Sequence, residues 1–231
     1  FLDPKLAGVN NAIGLECLAR GYLADALAAF DAEISVQPNF AVAHYNRGLV
    51  LQRLRRLEEA NSALDDAIRI APLVPEPHDA KGTVLQQLGR ARDARKAHER
   101  AIAIKPDLAT ALNNLGVLLR KDGETADALR RYAQAIEIKP DYADAHWNRA
   151  VTCLLIGRFE EGWEEAEWRW QVPNFPSARR NFAPPLWRGE TLVGKTILLH
   201  TEQGLGDALQ FLRYVPMVQA KGGRVVFEVQ R

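Results

Sequence analysis

Three groups of side chains in this sequence have the chemistry to hold or alter a ligand. Asn46, Asn114 and Asn148 recur at multiples of 34 residues. Each offers a carbonyl acceptor and an amide donor, so a series of them can grip a polypeptide backbone in both directions without reading its side chains. Asn113 adjoins Asn114, while Tyr45 and Trp147 hold the place before Asn46 and Asn148, where a ring is suited to anchor a ligand side chain. The competing use of such asparagines is to cap turns or to hydrogen-bond within the fold. A second group lies in TEQGLGDALQ. There Gly204 and Gly206 let the backbone pass close to a ligand, and Asp207 stands where a helix opens, a place where a carboxylate caps backbone amides.

The third group does not reach its usual chemistry. GETLVGKT, residues 189–196, has the spacing of a phosphate-binding loop, which works only between a strand and a helix N-terminus. Here PPLWR precedes it and ILLHT, a strand, follows, so Gly194 and Lys195 read as a turn and nucleotide hydrolysis is not expected. His44, His78 and His146 share one place in the 34-residue frame and stand one or more steps apart, so they read as packing residues and no metal site is expected. His98 takes the place of an aromatic packing residue. Cys17 and Cys153 lie four steps apart, too far for the roughly 7 Å reach of a disulfide. They read as buried packing residues of a reducing compartment.

The frame that positions all of these is the repeat. Gly14, Gly48, Gly82 and Gly116 are 34 apart, with Ala150 next; Pro38, Pro72, Pro106 and Pro140 keep the same step, as do Ala26, Ala60, Ala94, Ala128 and then Gly162. In the fourth unit Leu112, Leu115, Gly116 and Leu119 give a helical apolar face, which Asp122-Gly123 breaks. Ala128, Leu129, Tyr132, Ala135 and Ile136 carry a second face, and Pro140 ends it. Neither stripe can be buried alone, and stacked hairpins bury both, so five units over residues 7 to about 171 predict an α-solenoid. Pro75 and Pro77 predict a late start, near Glu76 or His78, for the first helix of unit three.

The series of small Gly, small Ala and terminal Pro resembles the tetratricopeptide repeat family in five consecutive copies. Glu33, in place of a small residue in copy one, and Ala150, Gly162 and Arg169 in copy five depart from it, as end units do. The resemblance implies that the sixth place of each unit (Ala12, Asn46, Ala80, Asn114, Asn148) faces a concave groove suited to an extended polypeptide. It also excludes the subclass that clamps a C-terminal carboxylate, because Tyr45, Leu49 and Glu76 stand where an amide or a cation is required. Farther on, Phe159, Trp163 and Trp170 form an aromatic stripe expected to seal the end of the stack.

After the proline-rich 172–195, the order strand, glycine loop, helix, strand over 196–231 predicts a βαβ unit of a parallel sheet. HTEQGLGDALQFLRYVPMVQAKGG resembles the opening of the catalytic region in bacterial proteins that join such repeats to a heptosyltransferase-like glycosyltransferase of the GT-B fold. By that resemblance Asp207 is the base that takes the proton of an acceptor hydroxyl. A nucleotide-sugar donor would then bind in a second half, beyond this sequence, with no cofactor expected in the part given. The expected organisation is therefore repeat domain 1–171, linker 172–195 and βαβ opening 196–231.

Composition narrows the partners. Thirty basic and 29 acidic side chains leave a formal charge of +1, without the field that draws in nucleic acid. No apolar run of membrane-spanning length occurs. The expectation is a cytoplasmic binding module whose partner is a protein or peptide, attached to the glycosyltransferase-like domain; the alternatives are a glycosyltransferase whose repeats are mainly structural and a pure scaffold, and the sequence does not give the oligomeric state.

Overall fold

A computed structural model describes residues 8–173, 175–177, 179–180, 182–202 and 204–228, leaving aside the side chains of Leu205 and Asp207. The chain divides into two compact units, Phe1–Val172 and Pro173–Arg231. The first contains α1 (Val9–Ala19), α2 (Leu23–Val36), α3 (Ala41–Arg53), α4 (Leu57–Ile70), α5 (Pro75–Gln87), α6 (Ala91–Ile104), α7 (Ala109–Lys121), α8 (Thr125–Ile138), α9 (Ala143–Leu155) and α10 (Phe159–Ala166), followed by a 3-10 turn, Glu167–Gln171. Each consecutive pair is a hairpin, and each hairpin packs its first helix on the second helix of the one before.

Two periodic contacts hold each hairpin. The small residues Ala26, Ala60, Ala94 and Ala128 are wholly buried where the two helices approach. The periodic glycines face a bulky side chain sixteen residues on. A Cβ on Gly14, Gly82 or Gly116 would lie within 2.6 Å of the ring of Phe30, His98 or Tyr132, and one on Gly48 would lie 2.8 Å from Leu64. In the fifth hairpin both partners change together: Ala150 stands at the glycine place and Ala166 at the ring place, and both are buried.

The inter-helix turns close alike, with the amide of Tyr22, Arg56, Arg90, Glu124 or Arg158 bonded to the carbonyl five residues back, at 2.8–2.9 Å. This closure needs a left-handed residue, supplied by Gly21, Gly89, Gly123 and Gly157. In the second hairpin Arg55 takes that place at φ 62°, the one such non-glycine among the described residues. A side chain there costs about 1–2 kcal/mol. Arg55→Gly is therefore expected to stabilise the chain by roughly 1 kcal/mol, readable as a higher urea midpoint at unchanged slope.

The loops between hairpins explain the shared histidines. His44, His78 and His146 are buried, and Nε2 of each donates to the carbonyl of Pro38, Pro72 or Pro140 at 2.9–3.0 Å. Each histidine thus ties down the proline loop that precedes its own helix. Among the described residues no group of three or more His, Cys, Asp or Glu is placed to hold a metal. Cys17 and Cys153 are free thiols; Cys153 is buried, and burial pushes its pKa up.

Four expectations are corrected. α5 begins at Pro75, not after it, with Val74 as N-cap. Prolines at the start of a helix remove only amides that have no helical acceptor, so neither Pro75 nor the buried Pro77 delays it. Cys17 is only half-buried. The aromatic stripe does not close over: Phe159 and Trp163 are 60% and 59% exposed. α10 ends at Ala166, and the 3-10 turn after it lays Trp168 flat on His146, 3.9 Å between ring centroids. The remaining correction concerns the second unit, below. Asp3 before Pro4 has the sequence pattern of an N-cap followed by proline in a first helical turn; both lie outside the described residues.

The departure at Glu33 has a purpose that spacing did not show. Its buried carboxylate accepts from the backbone amides of Gly8 (2.7 Å) and Asn11 (3.1 Å) and from the Gln37 side chain, capping the first turn of α1. Burial alone would raise its pKa; those three hydrogen bonds, with a further contribution from the Asn10 amide, outweigh burial and hold it below the ordinary 4.5. A pKa lowered by folding contributes stability above the unfolded value, and that contribution is lost as pH falls through the folded value. Glu33→Gln is therefore expected to melt lower at neutral pH and to show a flatter decline than wild type on acidification below 4.5.

In the second unit β1 (Thr196–His200) pairs in parallel with β2 (Arg224–Glu228), Thr196 opposite Arg224 and His200 opposite Glu228. The segment between them is α11 (Leu205–Phe211), a 3-10 turn (Leu212–Tyr214) and α12 (Val215–Gln219), not the single helix expected. Pro216 has no amide for a continuous helix to use, so the helix breaks there. β1 starts directly after the turn in which Lys195 N–H bonds the Leu192 carbonyl and Gly194 has φ 73°, so no helix follows GETLVGKT. No described helix is long and apolar enough to cross a membrane.

Candidate functional site

The first helices α1, α3, α5, α7 and α9 line up side by side, and their fifth and sixth places meet across the seams. Asn46 Nδ2 donates to Asn11 Oδ1 (2.9 Å), Asn114 Nδ2 to Asp79 Oδ1 (3.1 Å) and Asn148 Nδ2 to Asn113 Oδ1 (3.0 Å), each across 35 residues. The sixth place of one hairpin thus donates to the fifth place of the hairpin before. At the seam that lacks this bond, Tyr45 and Ala80 both pack on the cluster around Leu51 and Leu64. These asparagines bond within the stack and fix the register of neighbouring hairpins.

One amide hydrogen of each donor is consumed in this way. Asn46 and Asn113 are each only 5% exposed, whereas Asn114 and Asn148 are half-buried. Of the ladder, Asn114 and Asn148 are thus the members that stay partly exposed. Tyr45 and Trp147, both half-buried, lie on the same helix faces. Sequence reading passed over Tyr142, whose phenol is pushed up to about 12 by burial, then by Asp144 and Asp79, against a hydrogen bond with the Asn113 side chain. The Tyr45 phenol is raised by burial, then by Glu76 and Asp79. Asp79 thus acts on both phenols, Glu76 on that of Tyr45 and Asp144 on that of Tyr142. The signal for Tyr142 was available, since it is the last residue of its unit and abuts the next first helix.

Asp79 ties this line to the core. Its Oδ1 receives both Asn114 Nδ2 and, at 2.7 Å, Nδ1 of His98, which is wholly buried. Nε2 of His98 has no hydrogen-bond partner. The fifth hairpin has a comparable cluster: Glu165 accepts from His146 Nδ1 at 2.6 Å and from Arg149 at 2.5 Å.

In the second unit Gly204 is the N-cap of α11 and Gly206 lies within its first turn; both are exposed, and a Cβ at either would meet nothing within 4 Å. Asp207 follows inside the same turn, and its side chain lies outside the described residues.

Helical hairpins stacked at a fixed step, with a polar line along the seam of the first helices, define an α-solenoid. Tetratricopeptide repeat models match residues 11–75 and 118–171 in one case and 78–141 in another, and this chain belongs to the tetratricopeptide repeat family. Protein FlbA of Caulobacter vibrioides is 39% identical over 75 residues, which are 32% of this chain and 13% of FlbA. Among solved structures, MamA superposes with TM-score 0.58 at 21% identity over 68% of this chain and 91% of its own. PilW, described as a type IV pilus biogenesis factor, gives 0.66 at 19%, covering 71% and 78%. YrrB, described as having an unusual peptide-binding site, gives 0.52 at 24%, covering 69% and 82%. At such identities these likenesses establish the fold alone.

Proposed function

We propose that the groove along α3, α5, α7 and α9 holds an extended polypeptide segment of a partner protein. Asn114 and Asn148 meet its backbone with their second amide hydrogens, and Tyr45, Tyr142 and Trp147 hold its side chains. The observation that carries this reading is the partial exposure of Asn114 and Asn148 beside rings that are themselves only half-buried. Glu76, Asp79 and Asp144 lie near the two tyrosines and favour a segment with basic side chains. The test is fluorescence anisotropy with a labelled peptide of alternating lysine and valine. It is expected to bind, and to bind several-fold more weakly when Asn114 and Asn148 are both alanine or when Glu76 and Asp144 are both lysine. Affinity unchanged in both variants removes the groove from the function.

A second reading concerns the other unit, and is favoured by the parallel β1–β2 pair with a glycine-bearing turn leading from β1 into α11. Gly204, Gly206 and Asp207 follow the carboxyl end of β1, and in open α/β sheets ligands bind at that edge of the strands. Here the unit would be part of a glycosyltransferase-like domain that uses a nucleotide-sugar donor, with Asp207 as base and the repeats delivering protein acceptors. Loss of sugar transfer in an Asp207→Asn variant of a transfer-competent protein is the expected result; retained transfer excludes that role.

A further inference from the structure

The outer side of the third hairpin carries a feature the repeat pattern does not require. Between the second helices α4 and α6, with α5 as floor, lies a cleft of about 370 Å³. Its base is apolar, formed by Ile68, Leu85 and Ala97. Its rim is cationic, formed by Lys81, Arg90, Lys96 and Arg100, with Asp93 as the single carboxylate among the lining residues.

Two of those cations are neutralised. Lys81 pairs with Asp65 of α4, and Arg90 pairs with Asp93 at 2.8 Å. Lys96 and Arg100 are exposed and, among the described residues, neither has a carboxylate within 4 Å. They are four residues apart on α6 and so share one helix face. The second hairpin carries Ser62 and Asp66 at the same two places, the fourth Arg130 and Gln134, and the fifth Glu164 and Trp168. Packing of the repeat therefore tolerates neutral or acidic residues there, and only the third hairpin has a cation at both.

We propose that this cleft is a second binding site, distinct from the inner groove, for an acidic peptide segment of a partner protein with one apolar side chain. The apolar side chain seats on Ile68, Leu85 and Ala97, and carboxylates on either side of it meet Lys96 and Arg100. A phosphate backbone fits less well. It would leave the apolar base uncovered, and a chain of net charge +1 offers it no wider field. The two sites then select opposite charges, the inner groove taking basic segments and the outer cleft acidic ones.

The test uses the whole chain and a fluorescein-labelled heptapeptide, three glutamates on each side of a leucine, followed by anisotropy. Binding is expected, with affinity falling about tenfold between low and physiological salt, because exposed pairs are screened. Lys96→Glu with Arg100→Glu is expected to cost at least about tenfold, whereas Arg92→Glu on the same helix costs under about twofold. Replacing the central leucine by serine weakens binding, and Asn114→Ala with Asn148→Ala leaves it unchanged, which separates this site from the groove. Both rim residues are exposed, and an unaltered helical circular dichroism spectrum confirms folding. The proposal is overturned by failure to bind at millimolar peptide or by affinity indifferent to the charge reversal. Equal binding of the all-lysine counterpart overturns it too, as does displacement by a short single-stranded oligonucleotide at the peptide's own concentration.

Discussion

Gly116→Ala is expected to destabilise the repeat unit by about 2–3 kcal/mol, far beyond the usual effect of adding one methyl to a helix. Alanine is the better helix former, so propensity alone predicts a gain of about 1 kcal/mol. Geometry reverses the sign: the new Cβ would stand 2.6 Å from the Tyr132 ring, which is wholly buried and has no free direction in which to move. Tyr132→Ala alone opens a cavity and is expected to cost about 3–5 kcal/mol. The two together should cost well under their sum, with a coupling of about 2 kcal/mol in a double-mutant cycle, because the added methyl fills part of what the ring vacates. The fifth hairpin already uses this alternative in Ala150 and Ala166. Urea denaturation of the four proteins supplies the cycle, and strict additivity would mean that the glycine is not there to make room for the ring.

How much of this was legible in the sequence follows from what repeats and what does not. The 34-residue step, the hairpins, the small residues between helices and the parallel βαβ order were readable, because each appears several times or has a strong local pattern. Arg55 at a left-handed turn was readable only by noticing that Gly21, Gly89, Gly123 and Gly157 keep the step and position 55 breaks it. Glu33 could be seen as a departure but not explained, since its partners Gly8 and Asn11 lie 25 and 22 residues away. The asparagines were the subtlest case. Their common phase pointed at the groove, yet the polar partner needed for a bond within the stack was also in phase, one place earlier in the preceding unit: Asn11 for Asn46, Asp79 for Asn114, Asn113 for Asn148. A period shows which residues are equivalent; it does not show which face of a seam they serve.

The buried pair of Asp79 and His98 gives the other large effect. His98→Phe is expected to cost about 3 kcal/mol even though Phe30 fills the same place in the first hairpin, because it leaves the Asp79 carboxylate, only 8% exposed, with Asn114 alone for a partner. Asp79→Ala should cost a similar amount from the other side: neither ring nitrogen of His98 would then have a hydrogen-bond partner, and Asn114 would lose its acceptor. Asp79→Asn combined with His98→Phe recreates the pair Asn11 and Phe30 and is expected to be as stable as wild type or more so. The phenyl ring lies over Gly82 as Phe30 lies over Gly14, and the new amide accepts from Asn114 as Asn11 accepts from Asn46. Thermal and urea unfolding of the two singles and the double decide it. A double variant as unstable as either single would show that the histidine and carboxylate are held by something other than their own hydrogen bond. Recovery would show that the third hairpin can run on the first hairpin's apolar packing, and would leave the buried imidazole and carboxylate as a cost that the fold itself does not require.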